Sequence, residues 1–228
     1  MMDLVLLCGG LAARMRPITE KIPKSMIEIN GKPFIHHQLS LLRKKGVRRV
    51  IACAGYLGEQ IVDYIGDGRR YSIKVDYFFD KLSGTGGALR NITGSLPDDF
   101  FVLYGDSYLD TDYQKVEDAY RLSGKKALMT VYRNEGEWDA GNVIFRNNEI
   151  LCYSKKHKAE GMNYIDYGLG ILNRSVLFGH EQGAFDLSEL HEALSARNEL
   201  AGFEVFERFY EIGSPQGLRD LREKLGGT

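Results

Sequence analysis

A glycine turn followed by basic residues is the stretch of this chain whose residue types most clearly suggest chemistry. The apolar run from Leu4 to Leu7 is short enough to be one buried strand, and Gly9 and Gly10 follow it. Basic residues come next in quick succession, at Arg14, Arg16, Lys21 and Lys24. Glycines let backbone N–H groups approach phosphoryl oxygens, and cations neutralise the charge on those oxygens. The tract therefore predicts a phosphate-binding loop, although tight strand packing alone can also explain paired glycines.

Polar residues and glycines also follow other predicted strands. Tyr56, the glycine-rich segment 84–87 and Asp106 each come after an apolar run. Because ligands of open α/β sheets bind at the carboxyl ends of the strands, we expect these residues to share one edge with the Gly9 turn. A carboxylate such as Asp106 is a ligand that Mg²⁺ prefers. Asp110 and Asp112 could assist as outer ligands, but they are more typical of turn and N-cap positions.

The order of predicted elements indicates how these residues are positioned. Strands and helices alternate in the first half, which predicts a parallel sheet joined by right-handed crossovers. The predicted strands cover residues 3–8, 49–54, 73–79, 100–104, 126–132, 142–145, 150–153, 164–172 and about 207–212. The predicted helices cover residues 33–45, a segment ending at 65, a short stretch from 84, and residues 112–123, 187–197 and 215–225. We therefore expect a single α/β domain.

The composition excludes several classes of protein. The chain has 228 residues and a net charge of −1, which argues against a general nucleic-acid or membrane surface. No apolar run approaches the roughly 20 residues that a bilayer requires, so we expect a cytoplasmic protein. The spacing of Cys8, Cys53 and Cys152 favours reduced thiols over disulfides. His36 and His37 lack partners at metal-ligand spacing, which predicts structural roles for both.

The basic tract resembles the signature of a known enzyme family. It lacks the Gly-Lys-Ser/Thr ending of a Walker A loop and the G-x-G-x-x-G pattern of dinucleotide-binding folds. Its order is a glycine pair, an arginine, Pro-x-Thr and Pro-Lys, which in this chain are Gly9, Gly10, Arg14, Pro17, Thr19, Pro23 and Lys24. This order resembles the signature of the sugar-1-phosphate nucleotidyltransferases. Ala12 and Ala13 stand where the family usually carries Gly and Thr.

This resemblance implies a fold, a reaction and a metal. The fold would be Rossmann-like and three-layered, with a mixed, mostly parallel central sheet. An NTP and a sugar 1-phosphate would give an NDP-sugar and pyrophosphate with Mg²⁺. Arg14 would clamp the β and γ phosphates, and Lys24 would neutralise the α-phosphate. Asp106 would bind Mg²⁺, and Glu211, in a Glu-Ile-Gly-Ser-Pro tract where the family commonly has Asp-Ile-Gly-Thr-Pro, would complete that site.

The resemblance also implies two sets of binding residues. Residues 1–125 would form the nucleotide-binding half, and residues 126–228 the half that binds the sugar phosphate. The implied nucleotide-binding residues are Leu7, Gly9, Gly10, Leu11, Tyr56, Gly84, Thr85, Gly86 and Ala88. The implied sugar-phosphate-binding residues are Gly141, Asn142, Lys156 and Asp166, with Lys155 as the alternative to Lys156.

Resemblances to individual branches of the family point to different bases. The Cys-Gly-Gly-Leu opening and the Gly-Thr-Gly-Gly-Ala loop are most similar to guanylyltransferases acting on heptose 1-phosphate, which serve cell-surface polysaccharide synthesis. Segments 14–19 and 56–60 are more similar to short uridylyltransferases of N-acetylmuramate recycling. A cytidylyltransferase for phosphocholine or a phosphonate is a further alternative, as is a non-catalytic nucleotide-sugar-binding subunit. The expected partners are the NTP and the sugar 1-phosphate, without nucleic acid or membrane, and a homo-oligomer is left open.

Overall fold

The computed structural model describes residues 1–12, 15–81, 83–134, 136–137, 140–179 and 183–227. The strands are β1 Leu4–Leu7, β2 Glu28–Ile29, β3 Lys32–Pro33, β4 Arg49–Ala54, β5 Lys74–Phe79, β6 Asp99–Tyr104, β7 Ser107–Tyr108, β8 Ala127–Arg133, β9 Val143–Arg146, β10 Glu149–Tyr153, β11 Tyr164–Asn173, β12 Leu200–Val205 and β13 Tyr210–Glu211. The α-helices are α1 Phe34–Lys44, α2 Gly58–Ile65, α3 Gly84–Asn91, α4 Tyr113–Ser123, α5 Leu187–Ala196 and α6 Pro215–Gly226.

A nine-stranded mixed sheet runs through the whole molecule, in the order β5-β4-β1-β6-β11-β8-β12-β10-β9. Strands β5, β4, β1 and β6 are parallel, as are β8 and β12, and the remaining neighbours are antiparallel. Strand β1 is buried on both faces, which explains its uninterrupted apolar sequence. The predicted mixed sheet is confirmed, and both predicted halves of the chain contribute strands to it.

Helices cover both faces of this sheet. Leu4 and Leu6 of β1 face a core shared with α1, α2 and α4, whereas Val5 and Leu7 face a core shared with α3 and α5. A third, smaller core packs α6 against Phe34 at the start of α1. Successive side chains of β1 point to opposite faces of the sheet, as in any strand, so each face has its own core. Helices packed on both faces give the predicted three-layer arrangement.

Local signals in the sequence account for several element ends. Asp112 caps α4 by accepting hydrogen bonds from the backbone N–H groups of Gln114 and Lys115, as its predicted N-cap role requires. Ser214 caps α6 by accepting from Gly217 N at 2.9 Å, and Pro215 occupies the first turn. The turn between β9 and β10 places Asn147 and Asn148 at positive φ, a conformation that asparagine tolerates, and the two strands form an antiparallel hairpin.

The prediction for the last strands was wrong in two respects. The sequence predicts a strand over about 207–212, but only Tyr210–Glu211 is a strand, and it pairs with β7 outside the main sheet. Strand β12, which does enter the main sheet, was missed because Ala201 and Gly202 are poor strand formers. A Cβ on Gly202 would collide with the side chains of Phe145 and Ile150, so the glycine leaves the space that these side chains occupy.

Two expectations from composition concern the cysteines and membrane-spanning helices. Cys8, Cys53 and Cys152 are all free thiols, as predicted. Within the described ranges, no helix has the length and apolar character that crossing a membrane would demand.

Candidate active site

The loops after β1 and β6 meet at the carboxyl edge of the parallel strands. Gly105 N donates to Leu7 O at 2.9 Å, and a Cβ on Gly105 would lie 2.7 Å from Cys8 Cα. Gly55 packs just as tightly on the backbone of Gly9. These contacts give Gly55 and Gly105 packing roles. Gly10 differs, because a Cβ there would meet nothing within 4 Å, so packing does not explain the second glycine of the turn.

Three adjoining cavities follow this edge, and the first, which we call the nucleotide cavity, has a volume of about 200 Å³. Its lining residues are Leu7, Gly9, Gly10, Cys53, Asp80, Gly84, Thr85, Ala88 and Asp186. Six residues predicted to bind nucleotide are therefore brought together here: Leu7, Gly9, Gly10, Gly84, Thr85 and Ala88. The sequence interpretation missed Asp80 and Asp186, because acidic residues before helices α3 and α5 are typical of turn and N-cap positions.

The structure does not bring the other predicted nucleotide-binding residues to this cavity. The side chain of Leu11 is exposed, and the Tyr56 hydroxyl donates to Glu20 O at 3.0 Å. Gly86 lies against Phe185: its N–H donates to Phe185 O at 3.0 Å, and a Cβ there would overlap the Phe185 ring. Gly84, at φ +78°, is also pressed against the backbone of Phe185. Packing between α3 and the segment before α5 therefore explains much of the glycine-rich loop.

The two carboxylates of the nucleotide cavity differ in how they are held. Asp80 accepts from Ser83 N at 2.8 Å and from Asn91 Nδ2 at 3.1 Å, and its other contact is the Ser83 hydroxyl, so both of its oxygens are engaged. Asp186 Oδ1 accepts longer hydrogen bonds, from Thr85 Oγ1 at 3.3 Å and Thr85 N at 3.5 Å. These distances are at the weak end of hydrogen bonding.

The second cavity, called the central cavity, contains the predicted catalytic pair. It has a volume of about 190 Å³ and shares Leu7, Gly10 and Thr85 with the nucleotide cavity. Its other lining residues are Cys8, Ala12, Lys24, Ser25, Tyr104, Gly105 and Asp106. Lys24 Nζ forms an ion pair with Asp106 Oδ2 at 2.6 Å. Burial raises the pKa of the Cys8 thiol to about 12, so this thiol is not a nucleophile near neutral pH.

The third cavity, called the acceptor cavity, lies beyond Asp106 and has a volume of about 380 Å³. Its lining residues are Tyr104, Asp106, Ser107, Asn142, Lys155, Ile165, Asp166, Tyr167, Gly168, Phe209 and Glu211. The predicted Asn142 and Asp166 meet here, since Asn142 Oδ1 accepts from Asp166 N at 3.0 Å. Gly141 lies beside them against the carbonyl of Met162, where a side chain would not fit.

Lys155, rather than Lys156, is the lysine that lines the acceptor cavity. The Nζ atom of Lys155 lies 5.6 Å from the centroid of the Tyr104 ring. Lys156 contributes its backbone N–H, which donates to Ser154 Oγ at 3.2 Å. The sequence favours Lys156 because of its position in the family motif, and the geometry instead supports the alternative cation.

Glu211 and Asp106 line the same cavity, so the predicted pair of metal ligands is brought together. Glu211 Oε1 accepts from Ser214 Oγ at 2.5 Å, and its other oxygen accepts from Gly213 N. A Cβ on Gly213 would lie 2.6 Å from Lys24 Nζ and 2.7 Å from Glu211 Oε2, which places the ammonium close to both carboxylates. In the described part of the chain, no cluster of three or more His, Cys, Asp or Glu side chains could hold a metal alone. Mg²⁺ commonly uses one or two carboxylates plus phosphate oxygens, so this donor pair fits it.

A buried polar cluster lies behind the acceptor cavity. His191 of α5 is 3% exposed, and neither ring nitrogen has a hydrogen-bond partner among the described residues. Its ring contacts that of Tyr153 edge to face, with centroids 5.8 Å apart. Burial lowers the pKa of His191 to about 4, while Asp166 opposes and Lys155 reinforces that shift. His191 is therefore neutral near neutral pH.

The remaining predicted residues are two that the structure does not describe and two histidines with roles outside the site. Arg14, the predicted phosphate clamp, and Ala13 lie outside the described residues. His36 Nδ1 contacts the Tyr71 hydroxyl at 3.2 Å, and His37 Nε2 contacts Ile29 O at 2.8 Å, so both histidines have structural partners.

The chain belongs to the nucleotidyl transferase family, whose model matches residues 4–225. The resemblance to sugar-1-phosphate nucleotidyltransferases predicted from the basic tract is thereby confirmed, and the chain is an enzyme of the nucleotidyltransferase class. It is 27% identical to the D-glycero-alpha-D-manno-heptose 1-phosphate guanylyltransferase of Aneurinibacillus thermoaerophilus, over 98% of both chains. It is 30% identical to the enzyme of the same name from Campylobacter jejuni, over 94% of this chain and 96% of that one.

A solved structure shares the whole fold. The crystal structure of HddC from Yersinia pseudotuberculosis complexed with GMP-PN matches with a TM-score of 0.83 and 26% sequence identity. The match covers 99% of this chain and 100% of that one. The Rossmann-like nucleotidyltransferase fold is therefore confirmed.

Proposed function

We propose that this enzyme transfers GMP from GTP to a sugar 1-phosphate, with a heptose 1-phosphate as the acceptor, giving GDP-heptose and pyrophosphate. The observation that carries the proposal is the row of three adjoining cavities, with Lys24 and Asp106 in the middle one. A nucleotide bound at one end and a sugar phosphate bound at the other would present their phosphates to each other at this pair. The guanylyl and heptose assignments rest on the names of the full-length relatives.

The reaction is an in-line displacement at the α-phosphorus of GTP. An oxygen of the sugar phosphate forms a bond to that phosphorus, and the bond to the bridging oxygen of pyrophosphate breaks. Charge grows on the leaving pyrophosphate, so catalysis requires positioning and cations rather than a strong base. Lys24 is proposed to stabilise the transferred phosphate, and Arg14 to stabilise the leaving phosphates.

Asp106 and Glu211 are the residues that would hold Mg²⁺. The metal supplies charge neutralisation at the phosphate oxygens when it is bound. The Lys24–Asp106 ion pair holds the carboxylate in place on one side of the cleft. Glu211 is held from behind by Ser214 Oγ, so its direction is fixed by the start of α6.

The acceptor would be held by the residues around the third cavity. Lys155 is proposed to bind the acceptor phosphate, because its ammonium lines the cavity that contains Asp106. Asp166 and Asn142 are proposed to bind sugar hydroxyl groups, since carboxylate and amide oxygens both accept hydrogen bonds from hydroxyls. We place the reaction in the cytoplasm, where the free thiols of the chain would remain reduced.

The test is pyrophosphate release from purified protein with Mg²⁺. Each NTP is paired with heptose 1-phosphate, a hexose 1-phosphate, N-acetylmuramate 1-phosphate or phosphocholine. We expect the highest kcat/KM with GTP and heptose 1-phosphate. Preferred use of UTP or CTP would replace the guanylyl assignment with a uridylyl- or cytidylyltransferase. Tight binding of a nucleotide sugar without any pyrophosphate release would overturn the enzymatic proposal in favour of a binding subunit.

The variant Asp106→Asn tests the site itself. Losing the carboxylate should lower kcat by about 100-fold or more, because a proposed ligand of the Mg²⁺ that neutralises the reacting phosphates is removed. Asp112→Asn is the matched control, since Asp112 caps α4 outside the cavities and Asn caps equally well. Near-wild-type turnover of Asp106→Asn would remove Asp106 from the mechanism.

A further inference from the structure

We propose that Asp186 reads the hydrogen-bond donors of the nucleobase in the nucleotide cavity and thereby selects guanine. The inference rests on the proposed nucleotidyl transfer and names the residue that determines which nucleobase the NTP substrate carries. It places that residue at the start of α5, about 100 positions along the chain from the glycine-rich loop.

The charge of the nucleotide cavity indicates which part of a nucleotide it accepts. The cavity is lined by the carboxylates of Asp80 and Asp186, and its described lining includes neither Lys nor Arg. A triphosphate would be repelled there, whereas Lys24 in the adjoining central cavity would attract it. The nucleotide cavity therefore suits an uncharged group that donates hydrogen bonds, and the base is the uncharged end of an NTP.

Asp186 is the N-cap of α5, where its carboxylate accepts from the backbone N–H of Glu189, and its oxygens keep lone pairs for such a group. Asp80 has both oxygens engaged, by Ser83 and Asn91. The hydrogen bonds from Thr85 to Asp186 both fall on Oδ1 and are long, at 3.3 and 3.5 Å. Asp186 is also exposed, so a ligand entering the cavity can reach it without displacing a core residue.

Thr85 fixes the position of Asp186 relative to the glycine-rich loop. The Thr85 hydroxyl accepts from Leu187 N at 2.8 Å and donates to Asp186 Oδ1, so it links α3 to the first turn of α5. Phe185, between the two helices, packs against Gly84 and Gly86. The carboxylate is therefore positioned by the junction between α3 and α5, and discrimination between bases requires such positioning.

Guanine is the base whose donors match a carboxylate. Its N1–H and exocyclic N2 amine lie side by side, so one carboxylate can accept two parallel charge-assisted hydrogen bonds. Uracil offers a single N–H between two carbonyl oxygens, which a carboxylate would repel. Cytosine places its amine beside a ring nitrogen that accepts. A site built around paired donors rejects bases that lack them, because its own polar group is then left unpaired.

The test compares GTP, ITP and UTP in the wild type and in Asp186→Asn. ITP keeps the N1–H of guanine but lacks the N2 amine, so it isolates one of the two contacts. Wild-type kcat/KM should be about 10- to 100-fold higher for GTP than for ITP. Asp186→Asn should reduce this ratio of kcat/KM values to about 3-fold or less, because loss of a charge-assisted contact lowers kcat/KM for GTP more than for ITP. The same substitution should raise the kcat/KM for UTP relative to that for GTP. Asp112→Asn, the same substitution at the N-cap of α4 and outside the cavities, is the matched control and should keep the wild-type ratio.

Binding measurements separate this proposal from the proposed function. Dissociation constants for GTP and ITP are measured by calorimetry in parallel, and they report the ratio even if no turnover occurs. An unchanged GTP-to-ITP ratio in Asp186→Asn overturns the role of Asp186 and leaves nucleotidyl transfer standing. Preferred use of UTP or CTP by the wild type also overturns guanine selection but not the transfer reaction. Absence of pyrophosphate release with every NTP overturns the reaction alone, provided that GTP binding still depends on Asp186.

Discussion

At the scale of single residues, the lysine proposed to bind the acceptor phosphate is the sharpest difference between motif and geometry. Lys155 lines the acceptor cavity, whereas Lys156 does not. We expect Lys155→Met to raise the KM for the sugar 1-phosphate by about 10- to 100-fold with little change in the KM for the NTP, because a charge-assisted contact to phosphate is lost. Initial rates at varied acceptor concentration measure this change.

The neighbouring lysine is the matched control. Lys156→Met removes the same charge one position along the chain and should change either KM by less than about 3-fold, since a solvated surface charge contributes little. A large effect of Lys156→Met with none of Lys155→Met would restore the motif-based assignment.

The residues that could be predicted from the sequence are those whose roles follow from local order. Lys24 follows Pro23 in the basic tract and Asp106 comes shortly after an apolar strand, and both are found in the central cavity. Asp186 could not be predicted, because its place in the cavity depends on how α5 packs on α3. Lys155 could not be separated from Lys156, because the segment after β10 is irregular and adjacent side chains there follow no fixed period.

At the scale of elements, the packing of α3 on the segment before α5 shapes the nucleotide cavity. Gly86→Ala should destabilise the protein by about 1–3 kcal/mol, because the added Cβ overlaps the Phe185 ring and overpacking outweighs the gain in helix propensity. The KM for the NTP should rise as well, since Thr85 and Asp186 shift with the two helices. Urea denaturation and initial rates measure the two effects.

Gly94→Ala provides the comparison within the same region. A Cβ on Gly94 meets nothing within 4 Å, so stability should change by no more than about 0.5 kcal/mol and the KM should stay constant. Equal effects of the two substitutions would show that the contact with Phe185 does not hold this junction.

Most helices and strands could be placed from the sequence because they carry their own local signals, whereas β12 could not. Helix α6 begins at a Ser-Pro pair, and the β9–β10 hairpin turns on two asparagines. Strand β12 has no such signal, and its position is determined by parallel pairing with β8 and by the space that Gly202 leaves for Phe145. Long-range packing therefore decided the position of β12, the strand of the main sheet that the sequence pattern missed.

At the scale of the whole molecule, the buried His191 couples stability to pH. Its folded pKa of about 4 lies below the ordinary value of 6.5, so the unfolded chain binds a proton more readily than the folded one. The contribution of neutral His191 to the free energy of unfolding is fully present above about pH 6.5 and is lost as the pH falls toward 4. Each pKa unit between the folded and unfolded states corresponds to about 1.4 kcal/mol, so the free energy of unfolding falls by an amount on the order of 3 kcal/mol over this pH range.

Urea unfolding between pH 7 and pH 4 measures this dependence. His191→Gln should flatten the slope of unfolding free energy over that window, whereas substitution of the exposed His157 by Gln should leave the wild-type slope. Identical slopes in the wild type and His191→Gln would show that other groups control acid stability. The charges facing His191 belong to Asp166 and Lys155, which act in opposite directions.

The contact between Glu211 and Ser214 has a consequence for engineering this enzyme. Ser214 caps α6, and its hydroxyl is also the partner that orients Glu211 in the acceptor cavity. Given the metal-binding role proposed for Glu211, a single junction would serve both the stability of the fold and turnover. Substitutions selected there for heat resistance would alter turnover at the same time, so stabilising changes are best sought on α4 or at the amino ends of the strands, where the two properties can be tuned separately.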